Sequence, residues 1–178
     1  MARHSVTFFL PDDTLQLSSS LKGAFGQYME ISPRLHMTIA NAFYPKVPIS
    51  VIERKLEVIA QGTHRFALRC KGIRHFKSSL GVSYYIAIED EQPVKDLHYS
   101  IYASISTLID DENKGEFNLA NFTPHVTISG FSQDLVPEVE QAIKGYSVHY
   151  EVLFDCFSLC ATDGHGPWTI LREYPLSD

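Results

Sequence analysis

The sequence contains few of the residues that build cross-linked or membrane-embedded proteins. Its 178 residues include only three cysteines, none of them in a Cys-x-x-Cys pair. A disulfide framework and a four-cysteine zinc site are therefore not indicated. No segment approaches the roughly 20 apolar residues of a transmembrane helix. We expect a cytoplasmic protein with no membrane partner.

A secretion signal is not expected at the N-terminus either. The first apolar run, residues 6–10, is followed by Pro11 and two aspartates, and no cleavage-site pattern comes after it. We interpret this run as a strand of the mature protein.

Basic residues are scarce as well. The chain has 15 Lys and Arg against 21 Asp and Glu, a formal net charge of −6. Broad electrostatic binding of duplex nucleic acid needs a basic footprint, so that class is disfavoured. A small site for a single phosphate stays compatible with this charge.

Apolar residues, by contrast, are plentiful enough for a sizeable core, and no linker divides the chain. Hydrophobic residues make up 44% and aromatic residues 12% of the sequence. Periodicity and Pro or Gly punctuation predict the elements of each half. The first half is predicted as a strand at 5–10, a helix from Asp12 or Asp13 to about Met29, a strand at 35–43, a helix from Pro48 to about Ala60, and strands at 65–76 and 82–89. The second half is predicted as a helix from Pro93 to about Ile109, an acidic loop at 110–116, a strand at 124–131, a helix from Pro137 to Gly145, and strands at 148–161 and 168–174.

The two halves share their order of elements and their register. His125 follows His36 by 89 residues, the difference between 125 and 36, and Pro137 follows Pro48 by the same distance. This spacing is half the chain length and too long for a solenoid unit. We predict an α+β fold, one bilobal domain over residues 1–178 with pseudo-repeat halves at about 1–90 and 91–178. Two antiparallel-rich sheets would face a central cleft, with the helices outside.

Matching His-x-Thr motifs lie on corresponding strands of the two halves. Because side chains at i and i+2 share a strand face, each strand presents one imidazole and one hydroxyl together. A single His-x-Thr is a weak signal, but two at the same position of a repeated unit are poorly explained by coincidence. The motifs are His36-Met37-Thr38-Ile39 and His125-Val126-Thr127-Ile128.

These motifs resemble the signature of the 2H phosphoesterase superfamily, two His-φ-Thr/Ser-φ segments (φ hydrophobic), one per lobe of a duplicated bilobal fold. The strongest resemblance is to the 2'-5' RNA ligase-like and cyclic nucleotide phosphodiesterase branch. Many ligase-like members carry a basic residue shortly after the second motif, where this chain has Ser129, Gly130 and Phe131. That departure weakens the expectation of ligase-type substrate recognition.

The resemblance implies a metal-independent phosphodiesterase or cyclophosphodiesterase. Its substrates would be RNA termini, 2',3'-cyclic phosphates or 2'-5'-linked oligonucleotides, and we expect a monomer without a cofactor. His36 and His125 would act as general base and general acid, a task that suits a side chain with a pKa near 6.5. Thr38 and Thr127 would donate hydrogen bonds to phosphoryl oxygens. The alternative is an RNA- or nucleotide-binding protein of the same fold without turnover.

Substrate-binding candidates outside the motifs are Arg34, Phe43 and Phe131. Arg34 shares strand parity with His36 and can meet a phosphate, although strand ends often carry a merely solvated arginine. Phe43 and Phe131 follow the two motifs closely and are candidates for base stacking.

A basic run near the middle of the chain has two interpretations. It is either a sheet edge protected by charge or a surface that tracks RNA. The run comprises Arg65, Arg69, Lys71, Arg74 and Lys77.

Overall fold

The computed structural model describes residues 2–11, 14–28, 31, 34–78, 81–112, 119–131, 133–164 and 167–178, without the side chains of residues 78, 130, 131 and 133. Within these ranges, nine strands and four α-helices follow one another. They are β1 (Arg3–Phe9), α1 (Leu15–Phe25), β2 (His36–Pro45), α2 (Ile49–Gln61), β3 (Phe66–Ser78), β4 (Gly81–Ile88), α3 (Gln92–Ile105), β5 (Ile109–Asp111), β6 (His125–Phe131), α4 (Val136–Ile143), β7 (His149–Phe154), β8 (Cys156–Thr162) and β9 (Thr169–Pro175).

The strands form two antiparallel sheets. A five-stranded sheet has the order β5-β2-β1-β8-β9, and a four-stranded sheet has the order β6-β4-β3-β7. The α+β class with two antiparallel sheets is confirmed. Each sheet combines strands from both halves of the sequence, so a half of the chain is not a lobe of the structure.

Helices cover the outer faces of both sheets. Helices α2 and α3 pack together, with α3 against β2 and α2 against β9. Phe25 of α1 and Val139 of α4 meet Tyr84 and Ile128 on the four-stranded sheet. Full burial of an apolar side chain of this size contributes about 1.5–3 kcal/mol, so these contacts fix the helices to the sheets.

The two sheets are joined through aromatic packing in the core. The rings of Phe8 on β1 and Phe154 on β7 stack at 4.2 Å, and Phe66 on β3 stacks on Phe154 at 4.8 Å. Phe8 and Phe154 are at most 1% exposed. One continuous hydrophobic cluster therefore holds the sheets in a fixed relation.

The strand predicted at 148–161 is wrong in one respect, since it is two strands in different sheets. Strand β7 pairs with β3, whereas β8 pairs with β1, and Asp155 separates them. Residues of the hydrophobic core fall at even positions before the break, as with Val152 and Phe154, and at odd positions after it, as with Phe157 and Leu159. A strand alternates with period two, so this change of parity marks the break.

The predicted acidic loop at 110–116 begins instead with a short edge strand. Phe43 and Tyr44 of β2 pair with Asp111 and Asp110 of β5. Three residues are too few for periodicity to reveal a strand. Residues 113–118 lie outside the described ranges.

Helix α1 is shorter than predicted. It begins after Thr14, whose hydroxyl donates to the Pro11 carbonyl and does not cap the helix. The predicted capping residues Asp12 and Asp13, like Met29, lie outside the described residues. Leu15 is 49% exposed, so the buried face of the helix is formed further along, by Leu21 and Phe25.

None of the helices in the described ranges is long and apolar enough to cross a membrane.

Candidate active site

The first motif lies on β2, in the interior of the five-stranded sheet. Met37 and Ile39 have no exposed surface and point into the core. Strand alternation then places His36 and Thr38 on the opposite face, where both are half-buried. Thr38 pairs with Thr7 and His36 with Phe9 across the ladder to β1.

The second motif has the same arrangement on β6, the edge strand of the four-stranded sheet. Val126 and Ile128 are buried, which turns His125 and Thr127 to the other face. Strands β2 and β6 approach each other across the two sheets. The structure therefore brings both His/Thr pairs to the same region.

Hydrogen bonds to the backbone orient both imidazoles. His125 Nδ1 donates to the carbonyl of Thr123 at 2.7 Å, because a carbonyl can only accept. His36 makes the corresponding bond to the backbone of Arg34, also two residues earlier. In neutral His125 this bond leaves Nε2 unprotonated, which makes Nε2 the atom that takes up or releases a proton.

Burial shifts the pKa values of both imidazoles in the same direction. It lowers the pKa of His36 below the usual value, and the bond to Arg34 partly opposes this effect. Burial likewise lowers the pKa of His125, the bond to Thr123 raises it, and a positive charge on His36 lowers it further. The two rings are thus close enough for the charge of one to disfavour the charge of the other.

A third histidine, His98 on α3, links the two motif-bearing strands. Its ring is fully buried, and Nδ1 donates to the carbonyl of Ile39 at 2.6 Å. Nε2 accepts the backbone N–H of Leu119 at 2.8 Å, and the ring stacks on Phe122 at 3.9 Å. Ile39 is the last residue of the first motif, and Phe122 precedes the second. His98 therefore connects the backbone of the first motif with the segment that leads into the second, although it has no partner by repeat register in the sequence.

Two aromatic rings flank His125. The rings of Phe76 and Tyr85 stack at 4.2 Å, and their centroids lie 5.1 and 5.2 Å from the His125 ring. Tyr85 pairs directly with Thr127, while Phe76 stays 38% exposed. An exposed apolar ring beside an imidazole offers a surface on which a base can stack. Sequence reasoning missed Phe76, because only the β3–β4 register shows which face it shares.

A cavity of about 320 Å³ opens beside the first motif. This volume lies at the lower end of the range for small-molecule sites. Polar residues of β1, β2 and β8 line it together with Glu112, which follows β5, and with Phe9, Ala42 and Trp168. The polar residues of the three strands are Arg3, Ser5, Thr7, His36, Thr38, Asn41 and Cys160.

The cysteine in this cavity is unreactive. Burial raises the pKa of Cys160 to about 11, and the thiol makes a hydrogen bond with Thr7. The thiol therefore stays neutral near pH 7 and neither attacks nor repels an anion.

The predicted substrate-binding residues differ in where the structure places them. Arg34 is exposed, and its guanidinium lies 4.7 Å from the ring centroid of Phe9, whose ring is 5.9 Å from that of His36. Arg34 thus lies close to the first motif. Phe43 is fully buried in the core, stacked on His4 at 5.9 Å, so the expectation that it stacks on a base is wrong. The side chain of Phe131 lies outside the described residues.

Four residues of the basic run lie on β3, and Arg65 directly precedes it. Strand β7 pairs with β3 as far as Lys71, so the interpretation as a charged sheet edge is wrong for Arg69 and Lys71. In the described ladders Arg74 and Lys77 pair with β4 alone, and for them that interpretation stays a prediction. Three of its cations pair with carboxylates: Arg65 with Asp178, Arg69 with Glu151 and Lys71 with Glu89. These pairs reduce the charge available for an RNA backbone. Arg74 and Lys77 are exposed and have no ion pair within the described part of the chain.

No group of three or more His, Cys, Asp or Glu side chains in the described ranges is arranged to hold a metal ion.

Solved structures of other proteins share this fold. A Thermus thermophilus protein, TT0787, superimposes with a TM-score of 0.73 at 18% identity, covering 98% of this chain and 97% of the other. Escherichia coli LigT complexed with 3'-AMP superimposes with a TM-score of 0.65 at 15% identity, covering 99% of this chain and 98% of the other. Kluyveromyces marxianus Usb1 with uridine monophosphate superimposes with a TM-score of 0.55 at 9% identity, covering 98% of each chain. Identities this low establish the fold alone.

Sequence comparison places the chain in a family. No curated protein matches it. The sequence model of the 2'-5' RNA ligase superfamily, however, matches residues 9–166, which include both His-x-Thr motifs. The chain therefore belongs to the 2'-5' RNA ligase superfamily of 2H phosphoesterases.

Proposed function

We propose that this protein is a metal-independent phosphodiesterase or cyclophosphodiesterase that acts on RNA termini, 2',3'-cyclic phosphates or 2'-5'-linked oligonucleotides. It would work as a monomer, as one bilobal domain derived from a duplication with halves at about 1–90 and 91–178. The observation that carries the proposal is the pair of backbone-oriented imidazoles, each sharing a strand face with a threonine and close enough for a positive charge on His36 to lower the pKa of His125.

The chemistry needs one base and one acid on opposite sides of phosphorus. To open a 2',3'-cyclic phosphate, the neutral histidine accepts a proton from water as the water oxygen bonds to phosphorus. The protonated histidine donates to the ribose oxygen as its bond to phosphorus breaks. Each proton transfer accelerates the reaction by a factor of about 10² to 10⁴. His36 and His125 exchange these roles between the forward and reverse reactions.

The pKa shifts are consistent with one histidine acting as the base and the other as the acid. Both imidazoles have lowered pKa values, so one neutral ring is available as base near neutral pH. The negative charge of a bound phosphodiester favours the protonated form of the other ring. Substrate binding thereby prepares the acid at the site where it is used.

Thr38 and Thr127 would hold the phosphoryl group. A hydroxyl two residues from each histidine, on the same face, can donate to a non-bridging oxygen whose charge grows in the transition state. Arg34, near the first motif, would add positive charge close to the phosphoryl group. Phe76, and Phe131 after the second motif, would stack on the nucleoside beyond the scissile bond.

Nucleotides in structurally similar proteins support a nucleotide substrate. Escherichia coli LigT has been solved with 3'-AMP, ATP, NADP+ and phosphate, and the Usb1 structure contains uridine monophosphate. Those ligands are properties of those proteins. For this chain they indicate which compounds to assay first.

The direct test is an assay of purified protein against 2',3'-cyclic mononucleotides and 2'-5'-linked oligoadenylates, with and without a chelator. We expect turnover that is unchanged by the chelator. Nucleotide binding without turnover would favour the non-catalytic alternative, and activity lost with chelator and restored by a divalent cation would contradict metal independence.

A further inference from the structure

The cavity beside His36 extends well past the motif, along the whole of β1. Phe9 pairs with His36, and Thr7 with Thr38, at one end of this strand. Arg3, which lines the same cavity, lies four residues before Thr7, about 13 Å away at about 3.3 Å per residue. The far end therefore lies at roughly the reach of a nucleoside whose phosphate is at the motif.

The lining changes character along this path. Next to His36 and Thr38 come the hydroxyls of Thr7 and Ser5, which lie 3.3 Å apart, and the amide of Asn41. Such groups suit a ribose, which both donates and accepts hydrogen bonds.

The far end combines an aromatic ring with a pair of opposite charges. Trp168 is 41% exposed, and the Arg3 guanidinium lies 5.7 Å from its ring centroid. Glu112 accepts a hydrogen bond from Arg3 and is held in place by its backbone N–H, which donates to the Ala42 carbonyl at 3.1 Å. Arg3 Nε is buried and has no hydrogen-bond partner among the described residues.

This end is unsuited to a second phosphate, because the Glu112 carboxylate repels an anion and neutralises Arg3. A neutral, flat group with hydrogen-bonding edges fits better. The indole offers a stacking surface, the guanidinium only donates and the carboxylate only accepts.

We propose that Arg3, Glu112 and Trp168 form a nucleobase subsite that selects guanine in the nucleotide whose phosphate lies at His36 and Thr38. This assignment rests on the proposed function and adds the base preference. Guanine presents two neighbouring donors, N1–H and N2–H, to the carboxylate, and its O6 accepts from the guanidinium. Uracil presents one N–H between two carbonyls, which places an acceptor against Glu112.

Trp168 makes the subsite directly observable, because it is the only tryptophan in the sequence. Titration of the full chain with 2'-GMP or 3'-GMP should change the intrinsic fluorescence of Trp168, and inorganic phosphate should not. We expect the guanosine nucleotides to bind at least about ten-fold more tightly than 2'-UMP or 3'-UMP, since one good bidentate pair gives about that discrimination.

The variant Glu112→Gln should lose most of the guanine preference while it keeps binding inorganic phosphate. Glu151→Gln is the matched control, because Glu151 pairs with Arg69 outside this cavity. In Trp168→Leu, calorimetry should show about ten- to hundred-fold weaker binding of 2'-GMP, the loss expected for one stacked base. Circular dichroism of each variant shows whether the fold is retained.

The subsite and the catalytic proposal fail in different ways. If guanosine nucleotides bind with a Trp168 signal but the protein turns over no phosphodiester, the proposed subsite is supported and the proposed enzymatic activity is contradicted. If the protein turns over guanosine and uridine 2',3'-cyclic phosphates with equal kcat/KM and without a Trp168 signal, the enzymatic activity is supported and the subsite is contradicted. A Glu112→Gln variant that keeps the full guanine preference would also contradict the subsite.

Discussion

Replacement of either motif histidine should change both the rate and its dependence on pH. In the wild-type protein one ring must be neutral and the other protonated, so kcat/KM against pH should be bell-shaped. Burial lowers the pKa of His36 and of His125, so both limbs of the free protein's profile should lie below the usual histidine value of 6.5. Activity should therefore be greatest at mildly acidic pH.

The magnitude follows from the loss of one proton transfer. His125→Ala removes a group worth about 10²- to 10⁴-fold in kcat/KM, equivalent to about 3–5 kcal/mol of transition-state stabilisation. His36→Ala should cost a similar factor. With one imidazole left, the profile should keep a single limb instead of two.

The assay is hydrolysis of a 2',3'-cyclic nucleotide between about pH 4.5 and 8.5, a range that brackets the usual histidine pKa, by wild type and by each variant. Circular dichroism checks folding. His149→Ala is a suitable control, because His149 is an exposed histidine on β7 outside both motifs. The reasoning is refuted if His36→Ala or His125→Ala retains more than a tenth of the wild-type kcat/KM or keeps a bell-shaped profile.

Three further predictions concern the surroundings of the two imidazoles. Thr38→Val should lower kcat about 10²-fold through loss of an oxyanion donor, and an unchanged kcat would remove Thr38 from the chemistry. Phe76→Ala should raise KM for a 2'-5'-linked dinucleotide about ten-fold without altering turnover of a phosphodiester that lacks a second base, and equal effects on both would speak against stacking. Burial lowers the pKa of His98, so below about pH 6.5 the unfolded chain takes up a proton that the folded chain resists. The melting temperature measured by calorimetry should therefore fall as the pH is lowered from about 7.5 to about 5.5, less steeply in His98→Gln; the opposite trend would contradict the buried neutral state.

The sequence was sufficient for the motif strands, because their evidence is local. Alternation alone places Met37 and Val126 in the core and the imidazoles on the opposite face, and the structure has the same arrangement. The Pro48 and Pro137 signals likewise located the starts of α2 and α4 to within one residue.

What the sequence could not reveal depends on pairing between distant segments. The cavity joins Arg3 at the start of β1 with Trp168 and Glu112, and only the sheet order and the strand register bring these together. Phe43, by contrast, was mistaken for a cleft residue although it lies six residues after Met37, so that strand alternation places both side chains on the buried face.

The central claim is that both His/Thr pairs act on one phosphorus atom, and a crystal structure with a nucleoside 2'-monophosphate tests it most directly. We expect the phosphate to lie between β2 and β6, with one phosphate oxygen within hydrogen-bond distance of His36 Nε2 and another near His125 Nε2. Thr38 and Thr127 should donate to the remaining oxygens. A phosphate bound by one motif alone, or bound outside this cleft, would contradict the account.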